Sequence, residues 1–376
     1  MGVDLGDLTA ARPLAWSEMS GRVLAVDTYN TLYQFLSSVR QADGTPLMDS
    51  KGRVTGHLAG LFYRSVKWLE SGIKPVFVFD GKPPELKAKT LAERRERKAE
   101  AHAKMAVALN EGRTEDARLY AQQTSKLTPE MAGQARQLLE ALGLPTVQAP
   151  SEGEAEAADL VNRGLAWAAA SQDYDSLLFG SPRLVRNLST SGRRKLPRRN
   201  EYVDITPELL ELDAVLTSAS INRYQLIWMG MLVGTDFNAG VRGIGPKKAL
   251  KLVAGAHSFK DVISRLPPSS RAAAEEGPSL PPAPPSAAEG GAAASAASRS
   301  PEPPEGLENW EAVEEFFLKP PVSATSSIRF GKPDKEKAVR LLCGEFDFSP
   351  ERVTRTLDAL EKQQKEVGSQ KRLGDW

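Results

Sequence analysis

Seven carboxylates, Asp27, Asp80, Glu152, Glu154, Asp173, Asp175 and Asp236, are the side chains of this sequence whose types and spacing could do chemistry together. Asp27 closes the run Arg-Val-Leu-Ala-Val-Asp and Asp80 closes Pro-Val-Phe-Val-Phe-Asp. Glu152 and Glu154 follow Thr146-Val147-Gln148, and Asp173 and Asp175 follow the run from Ala166 to Ser171. Each alone has an ordinary explanation: Asp27 and Asp80 as polar strand terminators, Glu154 as the partner of Ser151 in a capping box. Jointly they need another, because like charges converging on one crevice repel and persist only with a cation between them. Donors that are all oxygen favour magnesium or manganese over zinc. Two such ions about 4 Å apart would activate a water and stabilise the leaving oxygen of an in-line displacement, leaving a 5′-phosphate and a 3′-hydroxyl. That chemistry needs no histidine base. Cys343 is the one cysteine, which excludes a thiolate cluster and an internal disulfide, and the separate segments that carry His57, His102 and His257 argue against an imidazole zinc centre.

The elements that must position these groups read as α/β. Residues 22–27, 75–80, 146–148 and 166–171 are apolar enough for strands buried on both faces, as in a parallel sheet. Each releases its carboxylates at the same end, where open parallel sheets place their ligand crevice. Residues 85–126 read as a long charged helical region with no strong apolar stripe in its first half, so not core. Residues 183–205 read as a basic hairpin turning at Ser191-Gly192, with Arg193, Arg194, Lys195, Arg198 and Arg199 on its second arm. Helices dominate from Asn222. Residues 267–306 are a Pro/Ala/Ser/Gly tract unable to bury enough apolar area to order itself. A final helix should start at Ser349-Pro350-Glu351 and run to about Lys365, followed by a polar tail.

Composition sets outer bounds. The chain has 376 residues, enough for one large domain with insertions or two closely joined ones, and its 41% hydrophobic and 26% charged residues are those of a globular protein. No apolar run approaches the roughly 20 residues of a membrane helix. The acidic N-terminus lacks the pattern of a secretory signal, and Gly6 breaks a myristoylation motif, so a cytoplasmic location is expected. A net charge of +1 leaves room for a basic surface cancelled in the sum by a carboxylate-rich site.

Three basic or aromatic features could act on a polyanion. Lys87 and Arg94 share a helical face, with Lys98 a turn further on; the ordinary reading is a solvated charged helix, the functional one a cationic gate stabilising charge at a phosphate. Tyr33 sits in a helix-forming stretch where aromatics are usually core. Gly243-Ile244-Gly245-Pro246-Lys247-Lys248 could be simple punctuation, or a turn whose backbone N–H groups and lysines approach a phosphate at a helix start.

The stretches MGVDLGDL, VDTYNTLYQFL, FVFDGKPPELK, APSEGEAEAA, SQDYDSLLFG, LVGTDF and GIGPKKAL, in this order, resemble the flap endonuclease family, archaeal type, over nearly the whole chain apart from 267–306. The resemblance implies a PIN-like 5′ nuclease fold, a mostly parallel sheet flanked by helices, with a helical arch (101–128) between nuclease regions at 1–100 and 129–266. A helix-two-turn-helix at about 222–254 would grip duplex DNA through Gly243, Gly245, Lys247 and Lys248, with a potassium ion on its backbone oxygens. Asp27, Asp80, Glu152 and Glu154 would form a first metal cluster and Asp173, Asp175 and Asp236 a second, for two Mg2+ ions that Mn2+ could replace. Lys87 and Arg94 would be catalytic, and Tyr33 would stack on a base near the cut. The C-terminal region 307–365 would be helical. Gln370, Leu373 and Trp376 in the tail 366–376 resemble a sliding-clamp peptide, although the chain stops where a second aromatic is usual. The activity implied is 5′ flap endonuclease with 5′-3′ exonuclease action on branched DNA in replication and repair, by a monomer. Two other classes compete with this reading: a haloacid-dehalogenase-type phosphotransferase, whose Asp-x-Asp pattern is broken by Tyr29, and a noncatalytic DNA-binding scaffold.

Overall fold

Residues 6, 11–41, 44–190, 192–195, 202–267 and 303–373 are described by the computed structural model of the chain. Ser191, Arg198, Arg199, Trp376, most of MGVDLGDL and residues 268–302 of the expected insertion lie outside them. The strands are β1 (Arg12–Pro13), β2 (Val23–Asp27), β3 (Lys74–Phe79), β4 (Thr146–Gln148), β5 (Ala168–Ala170), β6 (Arg183–Arg186), β7 (Gly192–Lys195), β8 (Tyr202–Ile205) and β9 (Glu208–Glu211). Seven of them form one sheet in the order β1-β9-β6-β5-β2-β3-β4, and β7 pairs with β8. From β4 to β6 every pairing is parallel, and only β9 is reversed, pairing antiparallel with both β6 and the edge strand β1.

The four expected strands are β2 to β5, and both sheet faces are covered, as their continuous apolarity requires. Ala25, Val76, Val78 and Ala169 point to one core; Leu24, Val26, Phe77, Phe79 and Ala170 point to the other. The helices are α1 (Trp16–Met19), α2 (Thr28–Ser38), α3 (Gly56–Glu70), α4 (Ala88–Asn110), α5 (Thr114–Gln123), α6 (Pro129–Ala141), α7 (Gly153–Asn162), α8 (Asp175–Leu178), α9 (Leu212–Ala219), α10 (Arg223–Val233), α11 (Pro246–Val253) and α12 (Phe259–Ser264). Trp310–Leu318, Lys335–Val339 and Pro350–Leu373 follow. Helices α7, α8, α10 to α12 and Trp310–Leu318 cover the first face, through Leu160, Leu177, Ile227, Val253, Val262 and Phe317. The second is covered by α2, α3, α6 and the last two helices, through Leu32, Phe62, Leu138, Ala338 and Val353.

Helix α4 buries only Ala101 and Ala108, consistent with its reading as non-core, and it runs unbroken through the boundary drawn at 100/101. The basic hairpin is corrected. Arg183–Arg186 is β6, an interior strand between β5 and β9, because Leu184 and Val185 are core residues. The described two-stranded ribbon begins at Gly192, which pairs with Ile205, so Gly192 lies in a strand and not at its turn. The last helix begins at Pro350 as expected, with Ser349 Oγ accepting from the Arg352 N–H at 3.4 Å. It continues past Lys365 to Leu373, so Gln370 and Leu373 lie on helical backbone.

Helix α2, which leaves the sheet at Asp27, is pressed onto α3 where Gly60 faces Phe35: a Cβ at Gly60 would lie 2.3 Å from Phe35 Cγ. Gly133, exposed in the interior of α6, has no atom within 4 Å of such a Cβ. Alanine should therefore act with opposite signs at the two sites. Gly60→Ala should lower the unfolding free energy by about 1–3 kcal/mol through overpacking, and Gly133→Ala should raise it by about 0.5–1 kcal/mol. Urea midpoints read both; a Gly60→Ala midpoint equal to that of the wild type would show that α2 is not held tightly.

Candidate active site

The register of the parallel strands decides where the carboxylates meet. Val26 lies opposite Ala170 and Phe77, so Asp27, Ser171 and the end of β3 come out side by side. Asp27 is both the last residue of β2 and the N-cap of α2, its Oδ1 accepting the Asn30 N–H at 3.0 Å. Ser171 Oγ stands 2.9 Å from Glu154 Oε1 and 3.3 Å from Asp27 Oδ2, and it accepts the Asp173 N–H at 3.3 Å. Asn30 Nδ2 donates to Asp173 Oδ2 at 3.1 Å. Asp175 opens α8 and is 3% exposed.

A second part of the crevice forms where β3 and β4 end. Asp80 Oδ1 accepts the Gly153 N–H at 2.8 Å, and a Cβ on Gly153 would fall 2.5 Å from that same oxygen, so only glycine lets α7 start this close. Glu152 is the N-cap of α7, without a side-chain cap bond. The capping box read from Ser151 and Glu154 is thus corrected: Ser151 does not cap α7, and Glu154 is held by Ser171. Lys87 Nζ lies 2.6 Å from Glu152 Oε2 and 3.3 Å from Asp236 Oδ2, and Arg94 is paired with Asp236 Oδ1. Asp236 is carried on the turn after α10, anchored by its neighbour Phe237, whose ring packs 4.8 Å from Phe316 and 5.3 Å from Phe317.

Burial and mutual repulsion raise three of these acids. The Asp27 carboxyl is pushed up to about 8, by burial first and then by the charge of Asp80. Asp80 is pushed up to about 6, by burial and then by Glu152. Glu154 stands well above the usual range because it is buried and faces Asp175, Asp27 and Asp173. Asp236 goes the other way: burial opposes its charge, but Lys87 and Arg94 hold it low. Burial opposes the Lys87 charge too, yet Glu152 and Asp236 raise its affinity for the proton, so it is an ammonium at any working pH. All seven predicted carboxylates are thus coupled in one crevice. Among the described residues, no three histidine, cysteine or carboxylate side chains are grouped as a ready-made cage for an ion. Lys87 and Arg94 take up positions beside Glu152 and Asp236.

Tyr33, on α2, is 39% exposed, and Lys98 of α4 lies over its ring at 5.0 Å from the centroid. Lys87 and Arg94 therefore reach the carboxylate crevice, and Lys98 reaches α2 beside it. Away from the crevice, Gly234 ends α10 with φ 106°, and Gly245 caps α11 with Pro246 at its first turn. Gly243, Gly245, Lys247 and Lys248 are exposed there, and Lys248 Nζ donates to the Gly243 carbonyl at 2.9 Å. Sequence reasoning missed Asn30, Ser171 and Gly153. The available signals were an Asn three residues after Asp27 and a Ser and a Gly adjoining the acids.

Residues 5–101 match the XPG N-terminal domain and residues 143–236 the XPG I-region. The chain is 47% identical to "Flap endonuclease 1" of Aeropyrum pernix, with 100% of this chain and 99% of that protein aligned, and 45% identical to that of Pyrococcus abyssi over 100% and 98%. The solved flap endonuclease-1 from Methanococcus jannaschii superposes with a TM-score of 0.70 at 35% identity, over 97% of this chain and 100% of that one. The chain belongs to the flap endonuclease family. The fold is shared more widely, with the catalytic core of Rad2 solved in complex with DNA substrate (TM-score 0.65, 23% identity, 96% of this chain and 100% of that one). Membership in the flap endonuclease family bears out the expected fold class and nuclease activity on phosphodiester bonds, and it answers the phosphotransferase and scaffold alternatives. No helix among the described residues is long and apolar enough to cross a membrane.

The raised carboxyls predict an unusual pH dependence in chelator-treated protein. Between the ordinary value of 3.8 and about 8 for Asp27, the folded chain holds a proton that the unfolded chain has lost. Stability must then fall as pH rises through that window. The melting temperature in EDTA should decline from pH 5 to 8, and Asp27→Asn should flatten the decline; a wild-type curve that climbs over this range would contradict the burial of these charges.

Proposed function

We propose that the chain is a structure-specific 5′ flap endonuclease, with 5′-3′ exonuclease action, cleaving branched DNA by two-metal hydrolysis in replication and repair. The observation carrying this reading is the ion-paired bridge from Lys87 and Arg94, at the root of the charged helical arm, to Glu152 and Asp236 in the carboxylate crevice. The donor set fits hard divalent cations: it is all oxygen, and burial together with the charges of neighbouring acids raises Asp27, Asp80 and Glu154, a repulsion that a cation would relieve. Asp27, Asp80, Glu152 and Glu154 would hold one Mg2+, and Asp173, Asp175 and Asp236 the other, with Mn2+ able to substitute. Bound there, the pair would supply an activated water and charge neutralisation at the leaving oxygen.

The chain's own residues supply the rest. Lys87 stays protonated and so serves as a cation at the scissile phosphate, not as a base. Arg94 offers a forked donor to the same phosphate once it leaves Asp236. Tyr33 presents an exposed ring at the crevice rim for stacking on a base. The turn from Gly243 to Lys248, with the start of α11, grips a duplex backbone, so binding depends on junction shape and salt rather than base sequence. A potassium ion at that turn would be held by backbone carbonyl oxygens. The enzyme would act as a cytoplasmic monomer recruited by a sliding clamp through Gln370, Leu373 and Trp376.

Digestion of a labelled double-flap substrate tests this reading. With Mg2+ the wild type should cut at the junction and leave a 5′-phosphate. Lys87→Ala and Arg94→Ala should each lower single-turnover cleavage by roughly 100- to 1,000-fold, while DNA affinity changes only a few-fold. Matching losses in binding and cleavage would remove the gate role. Separately, deleting residues 370–376 should abolish stimulation by a sliding clamp and spare intrinsic cleavage; a truncated enzyme still fully stimulated would reject the tail as the docking peptide.

A further inference from the structure

Asn30 touches acids assigned to both ion sites. Its backbone N–H donates to Asp27 Oδ1 at 3.0 Å, and its side-chain Nδ2 donates to Asp173 Oδ2 at 3.1 Å. A primary amide can present either its oxygen or its nitrogen, so something must select the nitrogen. One helical turn on, Gln34 Nε2 donates to Asn30 Oδ1 at 2.5 Å. The Gln34 amide is oriented in turn by the Ser189 hydroxyl, which donates to Gln34 Oε1. The chain Ser189, Gln34, Asn30, Asp173 therefore points every donor toward the carboxylate, and each bond polarises the next.

Its far end is fixed as well. Ser189 follows Asn187, which sits in the left-handed region at φ 60°. Asn187 exchanges two hydrogen bonds with Gln172, the residue before Asp173: Gln172 Nε2 donates to its Oδ1 at 2.8 Å, and its N–H donates to Gln172 Oε1 at 3.3 Å. The segment bearing Asp173 is held from α2 on one side and from the end of β6 on the other.

We infer that Asn30 is a positioning residue that holds Asp173 in register with Asp27, and that Gln34 and Ser189 act through it by fixing which way its amide faces. One oxygen of Asp173 is engaged by Asn30, which leaves the other to ligate an ion. This inference rests on the two-ion reading. It identifies Gln34 as the discriminating position, since that side chain touches none of the seven acids in the contacts described above. Gln34→Glu keeps the size and the acceptor for Ser189, but its second oxygen repels Asn30 Oδ1 and accepts from the amide nitrogen. The Asn30 amide would turn, presenting oxygen to the Asp173 carboxylate.

Titration of the full-length, DNA-free protein with Mn2+, followed by the electron paramagnetic resonance of the free ion, tests this directly. Wild type should bind two Mn2+. Asn30→Ala should weaken one of the two by roughly 10- to 100-fold, as loss of an outer-shell hydrogen bond does, and Gln34→Glu should do the same with Asn30 intact. Gln34→Met, which leaves the Asn30 amide undriven but unopposed, should have a smaller effect. Melting temperatures taken alongside keep the readout separate from folding. Variant isotherms that overlay the wild type, or a harmless Gln34→Glu, would overturn the positioning role alone. A wild type that binds no Mn2+ would overturn the two-ion reading and this inference with it.

Discussion

Anionic side chains gathered where water is scarce repel one another, and the organisation around this crevice is what makes that gathering tolerable. Parallel register leaves no freedom in the matter, because β2, β3 and β5 end level and each passes directly into polar residues. The compensation comes from several directions. Backbone N–H groups of Asn30 and Gly153 meet Asp27 and Asp80, one hydroxyl stands between Asp27 and Glu154, and two cationic side chains descend on Glu152 and Asp236. Compensation is partial: Asp27, Asp80 and Glu154 keep raised affinities for protons, because burial and the charges of neighbouring acids outweigh the hydrogen bonds they accept.

Elements far apart in sequence inherit their placement from this constraint. Helix α4 has little apolar surface of its own, and its root is fixed over the sheet by Lys87, Arg94 and Lys98 against Glu152, Asp236 and Tyr33. Phe237, next to Asp236, is wedged among Phe179, Phe316 and Phe317, so the helix Trp310–Leu318 helps seat the turn that carries this acid. A similar long-range clamp is seen at Glu156, fully buried in α7, which accepts from both the N–H and the hydroxyl of Ser323.

What could be read in advance followed physical range. Strands β2 to β5 announce themselves because burial on both faces forbids polar residues until the strand ends, and the acids are therefore visible at those ends. Strand β6 was hidden: Arg183 and Arg186 flank Leu184 and Val185, and the apparent turn at Ser191-Gly192 outweighed a pairing with β9 that only the folded chain supplies. Local chemistry misled in the same way at Ser151, where a good capping pattern loses to Ser171 as the partner of Glu154. The hydrogen bond from Asn30 to Asp173 spans 143 positions, so the spacing of Asn30 from Asp27 was its one local signal.

The chain leaves the described structure just after Leu266 and re-enters it ahead of Leu307, and both leucines are buried in the same core. The returning segment is fastened at once, with the Gly306 carbonyl accepting from Asn238 at 3.2 Å, next to the turn that carries Asp236. Both ends of the intervening tract are thereby pinned independently of what lies between them. Each doubling of such a connection costs only about 0.6 kcal/mol in closure entropy. A change of length at this splice point therefore acts on the fold through two anchored ends, the later of which adjoins the turn that carries Asp236.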